Sequence, residues 1–373
     1  MTINEDVAVL TSGARTLGEE VGYKYAEVEK RHKYRFLFDH LRLLTNRDFI
    51  QKYVNGENPF PQSVEIDPSN ACNHDCSFCI YHSMHSKERS ETLNRSLLLK
   101  TIDDLAELGV KSILFVGGGE PMAHPDTTAA IEAAHKHGIS AGLVTNGSLV
   151  KPKFQERLKK SAAYVRFSLD AASAPLHLKL HRKDDHDQII DNLRNLAAQE
   201  GPCTVGTGYF INEDNVHEVH DCAKLVKSTG ANYIQLKSYS GVPMSSELQT
   251  AALKQIERVL ELQDDKFDVH VMDRIFANET HQVRGYTKCH WQAFKPIINA
   301  DGNVYLCAQK RTNKNGIIGN IYEKSLKEIW NSRERQKVVN ELDLFTCPYC
   351  VHHEQNQMIE FFDGFVSKHK GFF

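Results

Sequence analysis

Two groups of cysteines are the residues best suited to chemistry in this 373-residue chain. Cys72, Cys76 and Cys79 form a C-x3-C-x2-C run. Three thiolates on one short loop can cap one corner of a metal cluster, one ligand fewer than a closed four-cysteine site uses. A [4Fe–4S] cluster held there would leave one iron without a protein ligand, and an open coordination position is where a metal does chemistry. The alternative is a structural zinc ion, which needs a fourth ligand from His74, His82 or His85. Cys289, Cys307, Cys347 and Cys350 supply four more thiolates, enough to satisfy either a zinc ion or an iron–sulfur cluster.

The elements that must position these residues follow from periodicity. From Ser63 to about Asp273, short β-rich runs alternate with helical ones. The strands expected are Val64–Ile66, Ser112–Val116, Ala141–Val144, Tyr164–Leu169, Val205–Ile211 and Tyr233–Leu236. Helices are expected with Leu98, Ile102 and Leu105 on one face and Gly109 as C-terminal cap, near Thr127–His137, from Pro152, around Gln188–Ala198, and over Val216–Ser228. Six such units joined by right-handed crossovers predict an α/β fold, a partial (β/α)6 barrel with ligands at the carboxyl ends of the strands. The cysteine loop follows the first strand. Gly117-Gly118-Gly119-Glu120-Pro121 follows the second, at the same end, where glycine lets a polar ligand approach the backbone.

Outside this core, residues 1–62 are expected to be a helical extension, with Phe36, Leu37, Leu41 and Leu44 at helical spacing and a turn-rich linker at Asn58–Pro61. The core is expected over 63–275. Residues 284–355 are expected to form a small α+β iron–sulfur extension containing a hairpin turned at Asp301-Gly302 and a helix at Leu326–Trp330. The Phe-rich tail, 356–373, is expected to cover something apolar.

Composition sets the class. Lys and Arg total 45 against 48 Asp and Glu, with 41% apolar and 25% charged residues, which is globular and excludes a mostly disordered chain. The net charge of −3 offers no general field for nucleic acid. No apolar run is long enough to span a bilayer. Met1–Gly13 lacks the pattern of a signal peptide, and nine cysteines do not suggest a disulfide plan, so a cytoplasmic protein is expected.

The residues from about Ser63 to Lys237 resemble the radical S-adenosylmethionine (SAM) enzymes. The resemblance implies that Cys72, Cys76 and Cys79 hold a [4Fe–4S] cluster whose open iron is chelated by SAM. It places Phe78 against the adenine and Gly118, Gly119, Glu120 and Pro121 at the methionine amino group. It puts Thr145, Asn146, Ser168 and Asp170 among the SAM-contacting polar residues. The second cysteine group, with Gly319-Asn320-Ile321 and the following helix, resembles the short "twitch" form of the SPASM extension, which implies one auxiliary [4Fe–4S] cluster on Cys289, Cys307, Cys347 and Cys350. Such an enzyme cleaves SAM reductively to a 5′-deoxyadenosyl radical, with electrons from a donor such as flavodoxin or ferredoxin. The cofactor carries the hard step while the protein excludes water and positions one C–H bond.

A fully ligated cluster cannot bind substrate but can accept an electron. This suggests a two-electron oxidation of a small polar metabolite, of sugar or aminocyclitol type, as in twitch-bearing aminocyclitol dehydrogenases. The alternatives are a redox-neutral epimerase, dehydratase or decarboxylase, a ribosomal-peptide-modifying enzyme, and a non-catalytic zinc-binding module. Lys237, at the carboxyl end of the sixth strand, is a candidate base or carboxylate partner. Arg182 is a candidate partner for the SAM carboxylate. A radical epimerase needs a hydrogen donor, often a thiol, but Cys222 falls on an apolar helix face and is expected to be a buried small hydrophobe, and Cys203 lies at the start of a strand, the end away from the expected site. His352 and His353 are expected at the surface.

Overall fold

The computed structural model describes residues 46–81, 91–238, 244–272, 284–311, 313–347 and 349–368, with side chains as far as residue 362. The apolar residues expected to pattern the N-terminal extension, and His82 and His85, lie outside these.

Seven parallel strands follow one another across the sheet: β1 (Ser63–Ile66), β2 (Ser112–Phe115), β3 (Ser140–Thr145), β4 (Tyr164–Ser168), β5 (Thr204–Phe210), β6 (Tyr233–Lys237) and β7 (Asp268–Val271). The architecture is the partial barrel, with one strand beyond the six expected. That strand, Asp-Val-His-Val, is short and half polar, and it is preceded by a helix over Ser246–Leu260. Alternation splits each strand between two environments. On β4 to β6, Val165, Phe167, Val205, Ile234 and Leu236 are buried in the main apolar core, whereas Arg166, Gly206, Gly208, Gln235 and Lys237 occupy the alternate positions, toward the barrel lumen.

Helices cover the outer face. The helix α1 (Arg95–Glu107) starts where the Asn94 side chain accepts the Leu97 N–H and stops before Gly109, whose φ of 81° suits only glycine. The helix α2 (Ala174–His181) was not anticipated. Leu176, Leu178 and Leu180 alternate as a strand would, but Pro175 opens a helix that buries Leu176, His177, Leu180 and His181 and leaves Leu178 exposed.

The C-terminal extension continues the same sheet. β8 (Ile297–Ile298) lies parallel to β1, and β9 (Asn303–Tyr305) and β10 (Ile317–Asn320) follow antiparallel. The Asp301-Gly302 turn is present; Gly302 has φ 80°, and a Cβ there would sit 2.4 Å from the Tyr322 ring. The tail begins inside the helix α3 (His353–Lys368), where Met358, Ile359 and Phe362 pack with Phe49, Ile50 and Phe294. Docking of this helix corrects the expectation for the two histidines: His352 stacks on Trp291 at 4.2 Å between ring centroids and His353 meets Tyr286 at 5.6 Å. No helix among the described residues is long and apolar enough to cross a membrane.

Candidate active site

The loop carrying Cys72, Cys76 and Cys79 leaves the end of β1 and is fixed from three sides. The Gly-rich loop after β2 packs against its start. A Cβ on Gly119 would come within 2.4 Å of the Ala71 carbonyl oxygen, and the Glu120 N–H donates to that carbonyl at 2.8 Å. Gly117 lies against the Asp67 carboxylate, and the Gly118 N–H donates to Asp67 Oδ2 at 3.0 Å. The glycines expected to admit a ligand therefore first admit the protein's own backbone and Asp67. The second support is α2, whose last carbonyls accept the Ser77 and Asp75 N–H groups. The third is the β3 loop: Asn146 Nδ2 donates to Asn73 Oδ1, and the Asn146 side chain bonds the Cys72 thiol.

Glu120 ties two of these supports together. It is 2% exposed; Oε1 accepts from Thr145 Oγ1 at 2.6 Å and from the Met122 N–H, and Oε2 accepts the Asn146 N–H at 2.7 Å. Burial pushes its carboxyl up, against those three donors. Pro121 opens the short helical turn over Pro121–Ala123 that follows. Thr145 and Glu120 are thus committed to one another and hold the loops after β2 and β3 together.

Phe78 packs on Leu176, Leu180 and Ala171 and lines a cavity of about 480 Å³ with Ser77, Ile211, Asn212 and Met244. Ser168 closes β4, half-buried. Asp170, two residues beyond it and 1% exposed, accepts the Phe210 N–H at 2.6 Å and faces His181 at 3.3 Å. Arg182 stands apart at the exposed end of α2, left-handed at φ 53° and ion-paired with Asp75 at 3.0 Å.

The lumen face of β4 to β6 holds two cations. Because Gly206 and Gly208 carry no side chains, Arg166 reaches across β5 to donate to Gln235 Oε1 at 2.7 Å. Lys237 Nζ lies over the Phe210 ring at 4.1 Å, and a Cβ on Gly208 would meet it at 3.3 Å. Burial, helped by Arg166 and opposed by Asp170, pushes the Lys237 ammonium down to about 7.

The second group gathers elsewhere. Cys289, Cys307, Cys347 and Cys350 line one pocket, walled by Leu306, Leu342 and Leu344. Burial pushes the Cys289 thiol up to about 12 and Cys307 up to about 11. In the first loop burial raises Cys72 to about 11, and Cys76 and Cys79 as well. The nine cysteines form no disulfide. Four converging half-buried thiols in one largely apolar pocket, and three on one loop, are donor sets that suit thiophilic iron, whose positive charge would stabilise the thiolates. Cys203 and Cys222 are buried in the apolar core.

The two regions match known families separately. Residues 66–226 match the radical SAM superfamily, and residues 289–352 match SPASM, an iron–sulfur cluster-binding domain. The chain carries a radical SAM domain followed by a SPASM/twitch iron–sulfur domain. Its radical SAM domain implies SAM and a [4Fe–4S] cluster, and its SPASM domain implies auxiliary iron–sulfur ligation. The Bacillus subtilis (strain 168) antilisterial bacteriocin subtilosin biosynthesis protein AlbA is 25% identical over 329 residues, 83% of this chain and 70% of AlbA. Mycofactocin maturase MftC of Mycobacterium tuberculosis (strain ATCC 25618 / H37Rv) is 26% identical over 245 residues, 64% of this chain and 62% of MftC. Streptococcus suis SuiB bound to S-adenosylmethionine aligns with TM-score 0.62 at 16% identity, covering 82% of this chain and 75% of SuiB, a likeness of fold alone.

Of the groups around the sulfurs, sequence reasoning named His74 as a possible zinc ligand and missed the rest. Asp67, just past β1, receives Arg311, which also reaches Glu65, each at 3.1 Å. His74, His177 and His181 are buried beside the first loop, with His74 and His177 both bonded to Asp185. The available signal was a histidine between Cys72 and Cys76 and a His177-x3-His181 pair, one helical turn apart.

Proposed function

We propose that this radical SAM enzyme oxidises a peptide substrate held over the carboxyl ends of β4 to β6. The observation that carries the reading is the separation of donor sets: three cysteines on an open loop at the strand ends, and four enclosed in an apolar pocket. With cluster and SAM bound, the first set supplies a carbon radical able to take hydrogen from an unactivated C–H bond. Cys72, Cys76 and Cys79 would hold that cluster. Phe78 offers an apolar wall for the adenine, and Gly118, Gly119, Glu120, Pro121, Thr145, Asn146, Ser168 and Asp170 shape the cradle for the rest of SAM. Arg182 serves through its pair with Asp75, bracing the loop, rather than as a free cation.

Lys237 faces the lumen with an ammonium that loses its proton near neutrality, the condition a general base needs. In an oxidation, it accepts the proton that leaves the substrate as the electron departs. Cys289, Cys307, Cys347 and Cys350 would hold an auxiliary cluster as the acceptor, re-oxidised by an external carrier such as flavodoxin or ferredoxin. The peptide reading draws on relatives named as a bacteriocin biosynthesis protein and a maturase. A second reading, a small polar metabolite of sugar or aminocyclitol type, is favoured by the two half-buried lumen cations, Lys237 and Arg166, which suit a compact acidic or hydroxylated molecule.

Mass spectrometry of products from anaerobically reconstituted protein tests the reaction. Oxidation removes two hydrogens, dehydration removes water, and epimerisation leaves the mass unchanged. Lys237→Met should lower product formation on the order of a hundredfold while leaving substrate-free SAM cleavage in place. Equal turnover by Lys237→Met removes it as the base.

A further inference from the structure

The cavity under Phe78, the lumen cations and the auxiliary pocket all belong to the site already described. The buried histidines beside the first loop do not. Cys76 Sγ lies 3.2 Å from Nδ1 of His181, the last residue of α2 and 2% exposed. Behind the ring, Nε2 faces Asp170 Oδ2 at 3.3 Å. Asp170 cannot swing away: its Oδ1 holds the Phe210 N–H, and its carbonyl accepts Asn215 Nδ2 at 3.0 Å. The His181 ring stacks on His177 at 4.4 Å between centroids. The backbone sets the same register from both sides of Cys76, since the Asp75 N–H donates to the His181 carbonyl and the Ser77 N–H to the Leu180 carbonyl. Nε2 makes no hydrogen bond of its own, so the stack on His177 and the main chain are what aim Nδ1 at this one sulfur.

A protonated thiol can donate to the ring, but a thiolate bound to iron can only accept, so against a ligated Cys76 it is Nδ1 that carries the hydrogen. Reduction adds negative charge that an iron–sulfur cluster shares with its ligating sulfurs. A donor on one of them favours the reduced state, and such bonds are among the determinants of cluster potential.

We propose that His181 is a positioning residue that donates an N–H···S hydrogen bond to the cluster-bound Cys76 thiolate and raises the reduction potential of the radical SAM cluster, with the His177 stack and the α2 main chain holding the ring. This inference rests on Cys76 being a ligand. His181 leaves the ligand count unchanged and acts on the ease of electron entry.

The test compares two truncations of similar size in the full reconstituted protein. The amide nitrogen of His181→Asn can stand near the place of Nδ1; His181→Leu offers no donor. Iron and sulfide are counted, and the first cluster is titrated electrochemically with detection by electron paramagnetic resonance in the absence of SAM. The auxiliary cluster serves as an internal reference. At the wild-type midpoint, His181→Leu should show a reduced-to-oxidised ratio about tenfold lower, a shift of about 59 mV for one electron. His181→Asn should stay within about threefold of wild type. Loading of Asn but not Leu also supports the donor. Coincident titrations of Leu and Asn overturn it, as does loss of the first cluster in both, because the ring would then act by packing alone. Zinc bound by His74, Cys76 and His181, whose ligand atoms lie within 4.8 Å of one another, overturns it too. Cys76→Ala separates the premises: if it keeps the first cluster, the ligand assignment fails before His181 is at issue.

Discussion

Cys72, Cys76 and Cys79 sit on a single loop whose surroundings are polar, while Cys289, Cys307, Cys347 and Cys350 are drawn from separate elements into a pocket walled by leucines. Around the first group, Asn146 reaches Cys72 and His181 reaches Cys76. Around the second, Asn356 approaches Cys350 at 3.8 Å and the Tyr286 hydroxyl bonds the same sulfur. The contrast matches the tasks proposed for them. A centre that binds SAM and takes up electrons needs an open side and groups that respond to added charge. A centre that only passes electrons needs complete ligation and a dry wall.

The comparison breaks most visibly with the cysteines themselves. Replacing any of Cys72, Cys76 or Cys79 by Ala should lower 5′-deoxyadenosine formation from SAM and reductant on the order of a thousandfold or more, read by chromatography. Replacing Cys347 and Cys350 together should remove the auxiliary iron and sulfide while leaving SAM cleavage within about tenfold. Equal losses in both sets would mean that the two regions do not divide the work.

Arg311 sharpens the comparison because it joins the regions. It lies four residues after Cys307, is 2% exposed, and holds Glu65 and Asp67 on the strand that leads to Cys72. Burial pushes the Asp67 carboxyl up to about 7 even against that guanidinium. Arg311→Met leaves the two carboxylates facing each other with Lys295 reaching only Glu65, and should destabilise folding by about 3–5 kcal/mol in urea titrations. A change under 1 kcal/mol, by the same measure, would mean the two carboxylates are neutral in the folded protein.

The smallest expected effect is local. Gly119→Ala drives a methyl into the Ala71 carbonyl and should cost about 1–3 kcal/mol, with lower iron loading at the first centre alone. At Gly138, where φ is 73° and the space is open, the same change should cost about 1 kcal/mol and leave both centres loaded. Equal iron loss in the two variants would contradict the close approach at Gly119.

Much of the parallel sheet was legible because strand alternation is a local property: Val64 and Ile66, or Val165 and Phe167, announce the buried face in their own segment. The missing pieces were those where local pattern and tertiary choice disagree. Leu176, Leu178 and Leu180 alternate like a strand, yet form a helix because His177 and His181 find buried partners in Asp185 and Asp170. β7 was missed because two of its four residues are polar and are buried regardless.

By itself the sequence determined the cysteine spacings, the order of strand and helix, and the glycine run at the end of β2, since each depends on neighbours along the chain. Only the tertiary structure decided that the hairpin turned at Asp301-Gly302 would extend the barrel sheet beside β1, that Arg311 would reach both Glu65 and Asp67, and that His181 would meet Cys76. Those pairings join residues a hundred or more positions apart, and what selects them is the penalty for burying charge and hydrogen-bonding groups without partners. That penalty acts through space and leaves no periodicity along the chain to be read.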